Sequence, residues 1–195
     1  EEVVEILAVL AEGGVHAVAL LTAGFTTSGE GGLTSQRALV RALREHGLRL
    51  LGPRSFGVIV EGEAGRLDAT LATEPVPAGD VGVFCQSSAA ARGLLARLAH
   101  RGVGVSSFVS AGLRVDVSGN DTMQFWTTDD RTRVACLFLE SIGNPRKFSR
   151  VARRLAATKP VVVAIAGTTG QQRLPGHQVR TSTAPRRVLE QLIRQ

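Results

Sequence analysis

The stretch Val134-Ala-Cys-Leu-Phe-Leu139, then Glu140-Ser-Ile-Gly-Asn144, then Pro145 to Ala157, then Pro160-Val-Val-Val-Ala-Ile-Ala166 decides the fold. Two short, wholly apolar runs flank a segment with helical periodicity that opens on Asn-Pro. Apolar runs of this length, unbroken by alternation, are strands buried on both faces, and a helix between two of them is a parallel crossover. Working outward, the same unit recurs. Strands are expected at Val81–Phe84 and Val103–Val109, with helices over roughly Ser88–Arg101 and Asp121–Thr128. A last helix is expected at Pro185–Arg194. The class is α/β with a parallel, doubly wound sheet.

Upstream the pattern is thinner. Residues 2–12 read as an amphipathic helix stopped by Gly13-Gly14, and Val15–Leu21 as a strand. Gly24 to Gly32 reads as a glycine-rich loop, Leu33–His46 as a helix, and Leu48–Leu51 as a short strand running into Gly52-Pro-Arg-Ser-Phe-Gly57. Two strands and two helices make the latter half of a domain, so residues 1–60 are expected to be one partial unit. Residues 61–79, rich in Gly, Pro and Ala, are expected to link it to a second domain over 80–195. No initiator Met is present and the chain opens in mid-helix pattern, which suggests a fragment.

Composition narrows the function classes. The net charge is +6, and all but two of the basic residues are Arg. These arginines are scattered rather than striped, and Phe108, Phe125, Trp126 and Phe148 are not interleaved with them as a nucleic-acid stacking platform requires. Acidic small ligands carrying phosphate fit the charge better. No apolar stretch is long enough to span a bilayer and no signal peptide is visible, so a cytoplasmic location is expected. Cys85 and Cys136, without Cys-x-x-Cys spacing, read as core residues in a reducing compartment. The four histidines have no metal-ligand spacing.

In open parallel sheets, chemistry collects at strand C-terminal ends. Three such ends carry suitable groups. His177 lies in the polar loop after Val161–Ala166, Glu140 follows Val134–Leu139, and Ser87-Ser88-Ala89 leads from Val81–Phe84 into a helix. The helix start offers unpaired N–H groups and the positive dipole end to a phosphate, although a Ser cap alone would look the same. Glu140 could accept an imidazole N–H and leave the other ring nitrogen free to attack phosphorus, or it could cap its own loop. Arg114 and Asp116, in the loop Ser110–Asn120, could bind substrate or pair with each other.

Several motifs in series carry a resemblance. Gly52-Pro-Arg-Ser-Phe-Gly-Val58, Cys85-Gln-Ser-Ser-Ala89, Ser107-Phe-Val-Ser-Ala-Gly112, Ser118-Gly-Asn-Asp121, Leu139-Glu-Ser-Ile-Gly143 and Lys159-Pro-Val-Val162 resemble the NDP-forming acyl-CoA synthetases. That family includes succinyl-CoA synthetase alpha subunits and single-chain acetate–CoA ligases. The resemblance implies the C-terminal half of a CoA-binding Rossmann domain over residues 1–60, followed by a flavodoxin-like ligase domain. It implies a phosphohistidine at His177, oriented by Glu140, with Ser87, Ser88 and Ala89 cradling phosphate. Arg54, Ser55, Ser110 and Gly112 would then lie beside CoA or substrate. CoA, acyl-CoA and phosphate would be the small-molecule partners, in an assembly that could be oligomeric. ATP or ADP with Mg would be bound by a separate ATP-grasp domain or subunit. The chain departs from the family pattern at Arg54, where Asn is usual, at Cys85 for Ser and at Ser88 for Gly. Such departures also occur in the ligase-like regulatory region fused to GNAT-type protein lysine acetyltransferases, which is the alternative reading.

Overall fold

The structure, a computed structural model, describes residues 2–23, 30–166 and 191. The last helix expected from the sequence and the loop bearing His177 lie outside these residues. The elements run α1 (Glu2–Glu12), β1 (Ala17–Ala19), α2 (Glu30–Glu45), β2 (Arg49–Leu51), β3 (Gly57–Gly62), β4 (Gly65–Thr70) and β5 (Ala78–Cys85). They continue with α3 (Ser88–His100), β6 (Val105–Ser110), α4 (Gly119–Thr128), β7 (Val134–Leu139), α5 (Pro145–Ala156) and β8 (Val161–Ile165).

β1 and β2 form a small parallel pair. The other strands form one sheet in the order β4-β3-β6-β5-β7-β8. Its right-hand four strands are parallel, and their spatial order is second, first, third, fourth in chain sequence. This is the flavodoxin-like winding, with its switch point between β5 and β7.

Alternation along the strands sorts the core into two layers. Phe84, Ala135, Leu137 and Leu139 pack with Met123, Trp126, Phe148, Val151 and Leu155 of α4 and α5. Val83, Cys85, Val105 and Phe108 turn to the other face and meet Ala91 and Leu95 of α3. A third cluster, Leu7, Leu39, Ala42, Leu43, Leu48 and Leu50, holds the first helices against the β1–β2 pair.

The structure differs from the sequence reading in three places. First, residues 61–79 were expected as a linker, but β3 and β4 form a hairpin across Glu63-Ala64. β3 extends the main sheet by pairing antiparallel with β6. Arg66 ties the hairpin down by donating to Val76 O at 2.8 Å and Val105 O at 3.2 Å while pairing with Glu61. Second, α2 starts at Glu30, so glycines expected in a loop join its first turn. Their helix cost of about 1 kcal/mol each is outweighed by burial of Leu39, Ala42 and Leu43. Third, α4 starts at Gly119 because Ser118, not Asn120-Asp121, is the cap, its N–H donating to Asp121 Oδ2 at 2.9 Å. Asn144 caps α5 as expected, its Oδ1 accepting from Lys147 N at 3.1 Å.

The far end of α4 is closed by a distant cation. Lys159 Nζ donates to Trp126 O and Asp129 O, each at 2.6 Å, and so meets the carbonyls and the negative dipole end. The Trp126 indole Nε1 donates to Ser107 Oγ at 2.8 Å, and its ring lies against Gly82 of β5. A Cβ at Gly82 would sit 2.6 Å from Trp126 Cε2. Gly82→Ala should therefore overpack the layer and lower stability by about 1–3 kcal/mol. Urea unfolding checks this as a fall in midpoint at unchanged slope.

Candidate active site at the sheet switch point

β5 and β7 are adjacent and parallel, and they end together at Cys85 and Leu139. The chain leaves β5 toward β6 on one side and later crosses back to β7 on the other, which opens a crevice at their C-terminal ends. Ser87 begins α3 from extended backbone, and its Oγ accepts from Ala90 N at 3.3 Å. The Ser87 hydroxyl also acts on the Glu140 carboxyl, so the acid that ends β7 and the α3 N-terminus are neighbours. Ala89 is exposed in the first turn of α3.

Glu140 is half-buried, and burial pushes its carboxyl above the usual value of 4.5. The Arg54 guanidinium, the Ser87 hydroxyl and Arg114 oppose that rise. The folded chain thus holds this proton more tightly than the unfolded chain. The contribution of Glu140 to stability is largest at low pH and declines as pH climbs from 4.5 through its raised value.

Arg54 reaches the site through an unusual loop. Its backbone is left-handed, at φ 60°, directly after the cis Gly52-Pro53 bond. Ser88 Oγ donates to Arg54 O, which fastens the loop to the start of α3. Ser55 Oγ donates to Ser110 O at 2.6 Å and accepts from Gly57 N at 2.9 Å, while Ser110 Oγ accepts from Phe56 N at 2.9 Å. Both serines are buried, and their hydroxyls hold the loop together beneath Arg54. Gly112 lies against the same loop. A Cβ there would fall 2.1 Å from Pro53 O, so only glycine fits at this close approach.

Arg114 and Asp116 turn to different partners. Asp116 Oδ2 accepts from Arg49 Nε and Leu50 N, both at 2.8 Å, and so bridges to β2. Arg114 donates to Ser141 O at 2.8 Å and Ser141 Oγ at 3.1 Å, beside Glu140. The sequence reading missed Gln86. It stood inside the Cys85–Ala89 motif with no role assigned, yet its carboxamide bonds the β7–α5 loop at Glu140 and Ser141. On the α4–α5 side of that loop lies a cavity of about 170 Å³, lined in part by Gln86, Arg114, Asn120, Ser141 and Phe148. Cys85 and Cys136 carry free thiols, and burial pushes the Cys85 thiol up to about 12. Among the described residues no group of three or more His, Cys, Asp or Glu side chains could hold a metal, and no helix is long and apolar enough to cross a membrane.

Of the sequence-predicted site residues, the structure therefore gathers Glu140, Ser87, Ser88, Ala89 and Arg54 at one edge. It sets Ser55, Ser110 and Gly112 behind Arg54. His177 lies outside the described residues.

This architecture has named counterparts. An acetate–CoA ligase (ADP-forming) I subunit alpha from Pyrococcus furiosus is 32% identical over 154 residues, which is 79% of this chain and 33% of the relative. Acetate–CoA ligase (ADP-forming) II from Archaeoglobus fulgidus is 29% identical over 89% of this chain and 26% of the relative. The chain thus spans a third or less of these curated relatives. Among solved structures, the apo form of the dinucleotide forming acetyl-coenzyme A synthetase 1 of Ca. Korarchaeum cryptofilum superposes with a TM-score of 0.85 at 29% identity, covering 98% of this chain and 41% of that one. The same enzyme in complex with phosphate and ADP gives 0.79 at 32% identity, covering 86% of this chain and 36% of that one. The family described as succinyl-CoA ligase like flavodoxin domain matches residues 78–195, more than half of the chain, and the four parallel strands β5 to β8 with the strand ends bearing Ser87 and Glu140 lie in that span: the chain belongs to this family.

Proposed function

We propose that the chain is a segment of an NDP-forming acyl-CoA ligase, converting an acid, CoA and NTP to acyl-CoA, NDP and phosphate through a phosphohistidine. The juxtaposition of Glu140 with the start of α3, fixed by the Gln86 carboxamide, carries this reading. A carboxylate beside a helix start is stabilised by the helix dipole, and here the same edge also carries the Arg54 guanidinium. Together they suit an imidazole that is alternately neutral and phosphorylated. The names of the relatives support the same reaction.

In this reading His177 is the phosphoryl carrier. Ionised Glu140 accepts one imidazole N–H, fixing the tautomer that leaves the other nitrogen to attack phosphorus, and it offsets the positive charge that develops on the ring. The first-turn N–H groups of α3, at Ser88 and Ala89, face the phosphoryl oxygens, and Arg54 adds a full positive charge. The hydroxyl that Ser88 carries where the family has Gly is drawn to Arg54 O, away from the phosphoryl group. Ser55, Ser110 and Gly112 set the position of Arg54 rather than touching substrate. Residues 1–60 would be the latter half of a CoA-binding Rossmann-like domain. Mg-ATP or Mg-ADP would be held by an ATP-grasp domain or subunit, so this segment alone would not turn over.

Full-length protein incubated with γ-labelled NTP, magnesium and its ATP-grasp partner should acquire acid-labile, base-stable label at His177, and His177→Ala should acquire none. An unlabelled wild type, or equal label on the variant, overturns the proposal. The rate of labelling should fall on the acid side with a limb above pH 4.5, because burial raises the Glu140 carboxyl. Glu140→Gln should abolish that limb and slow transfer by about 10²-fold. Arg54→Met removes the cation that opposes the rise, so the limb should move to higher pH.

A further inference from the structure

Gln86 is 95% buried, being 5% exposed, at the point where β5, β6 and β7 end. Its backbone N–H donates to Phe138 O at 3.1 Å, which keeps it in register with the last rungs of β7. Its carboxamide then continues the ladder where β7 has stopped. Oε1 accepts from Glu140 N at 2.7 Å and Ser141 N at 3.0 Å, while Nε2 donates to Ser141 O at 2.8 Å. The amide therefore acts as a substitute peptide group on both sides of Ser141. Arg114 braces the same residue from the β6–α4 loop through Ser141 O and Oγ. Glu140 sits at the start of this doubly held segment.

We propose that Gln86 is a positioning residue, whose carboxamide fixes where the Glu140 carboxylate stands in the strand-end crevice; only the catalytic consequence of that placement rests on the phosphohistidine reading above. Among the described residues, four groups besides Gln86 act on Glu140. They are the Arg54 guanidinium on its loop, Arg114 after β6, the Ser87 hydroxyl at α3 and the Cys85 thiol at the end of β5. Gln86 carries no charge, so its effect on Glu140 is through geometry: it keeps the backbone of Glu140 in place beside these groups and out of bulk water.

Two variants of the full-length protein separate this from a bland packing role. Gln86→Met keeps the volume next to the cavity and removes all three side-chain hydrogen bonds. Released, Glu140 regains water, and its titration should move down toward 4.5. Gln86→Glu keeps the two bonds accepted from Glu140 N and Ser141 N but adds a negative charge nearby, so the Glu140 titration should move up. Selective ¹³C labelling of glutamate, with Glu140→Gln to assign the signal, reads both shifts without any turnover. In the labelling assay, Gln86→Met should lower the rate of phosphoryl transfer by about 10²-fold, the cost of a misplacement on the order of 1 Å at a reacting group. The KM for NTP should be unchanged.

Opposite shifts in the two variants support the proposal, and they do so even if no phosphohistidine forms on wild type, in which case only the catalytic reading fails. Unshifted Glu140 titration in variants that still melt cooperatively overturns it, whatever the labelling shows. A lower melting temperature with unchanged transfer per folded molecule overturns it as well. Should Gln86→Met fail to fold, Gln86→Asn decides: its shorter amide cannot span to Glu140 N, so the Glu140 titration should again move down, and an unshifted titration overturns the proposal.

Discussion

A parallel strand that ends inside a protein leaves peptide N–H and C=O groups with no neighbour to bond. Each one left unpaired in a buried setting costs on the order of 1–3 kcal/mol. Much of the candidate site consists of answers to that constraint. Beyond β7 the answer is the Gln86 carboxamide with the Arg114 guanidinium. Beyond β6 it is the Ser55 hydroxyl, which donates to Ser110 O, while Ser110 Oγ accepts from Phe56 N. Beyond β5 it is the Ser87 cap. Polar side chains placed to satisfy backbone are, by the same placement, those that shape the crevice.

The departures from the family pattern make sense against this background. Cys85 is fully buried on the α3 face, and its Sγ donates to Ser87 O at 3.1 Å. The desolvated thiol stays protonated, so it serves as a donor to the cap residue and not as a nucleophile. Ser88 holds the carbonyl of Arg54, and Arg54 occupies left-handed backbone from which its charge bears on Glu140. The Arg54 and Ser88 substitutions are thus coupled, since the hydroxyl of one secures the loop that presents the other.

How much of this could be read from residues alone follows from the range of the forces involved. β7 and β8 were legible because each is an unbroken apolar run, β5 through Val81–Phe84, and β6 through Val103–Val109 in spite of its serines. α3 and α5 were legible through periodicity and caps. β3 and β4 were not. Gly57–Gly62 is a short run bounded by glycines, Gly65–Thr70 is mostly polar, and the hairpin is held by pairing with β6 and by Arg66, whose partners are distant in sequence. Glu140 and Ser87 were legible as strand-end residues carrying reactive groups. Gln86 was not, because its role depends on backbone N–H groups 54 and 55 residues further along the chain. No local pattern encodes such a bond.

The β3–β4 hairpin has a further consequence for how the protein behaves in a crowded solution. An uncovered β6 would offer an unpaired rim, Val105 to Ser110, to any extended segment it met. β3 covers that rim, and β4 then forms the margin with a short strand bearing Arg66 and Asp68. Charged, brief margins of this kind resist sheet-to-sheet fusion and the aggregates that grow from it. The stretch that looked like a mere connector is the sheet's guard against polymerisation on that side.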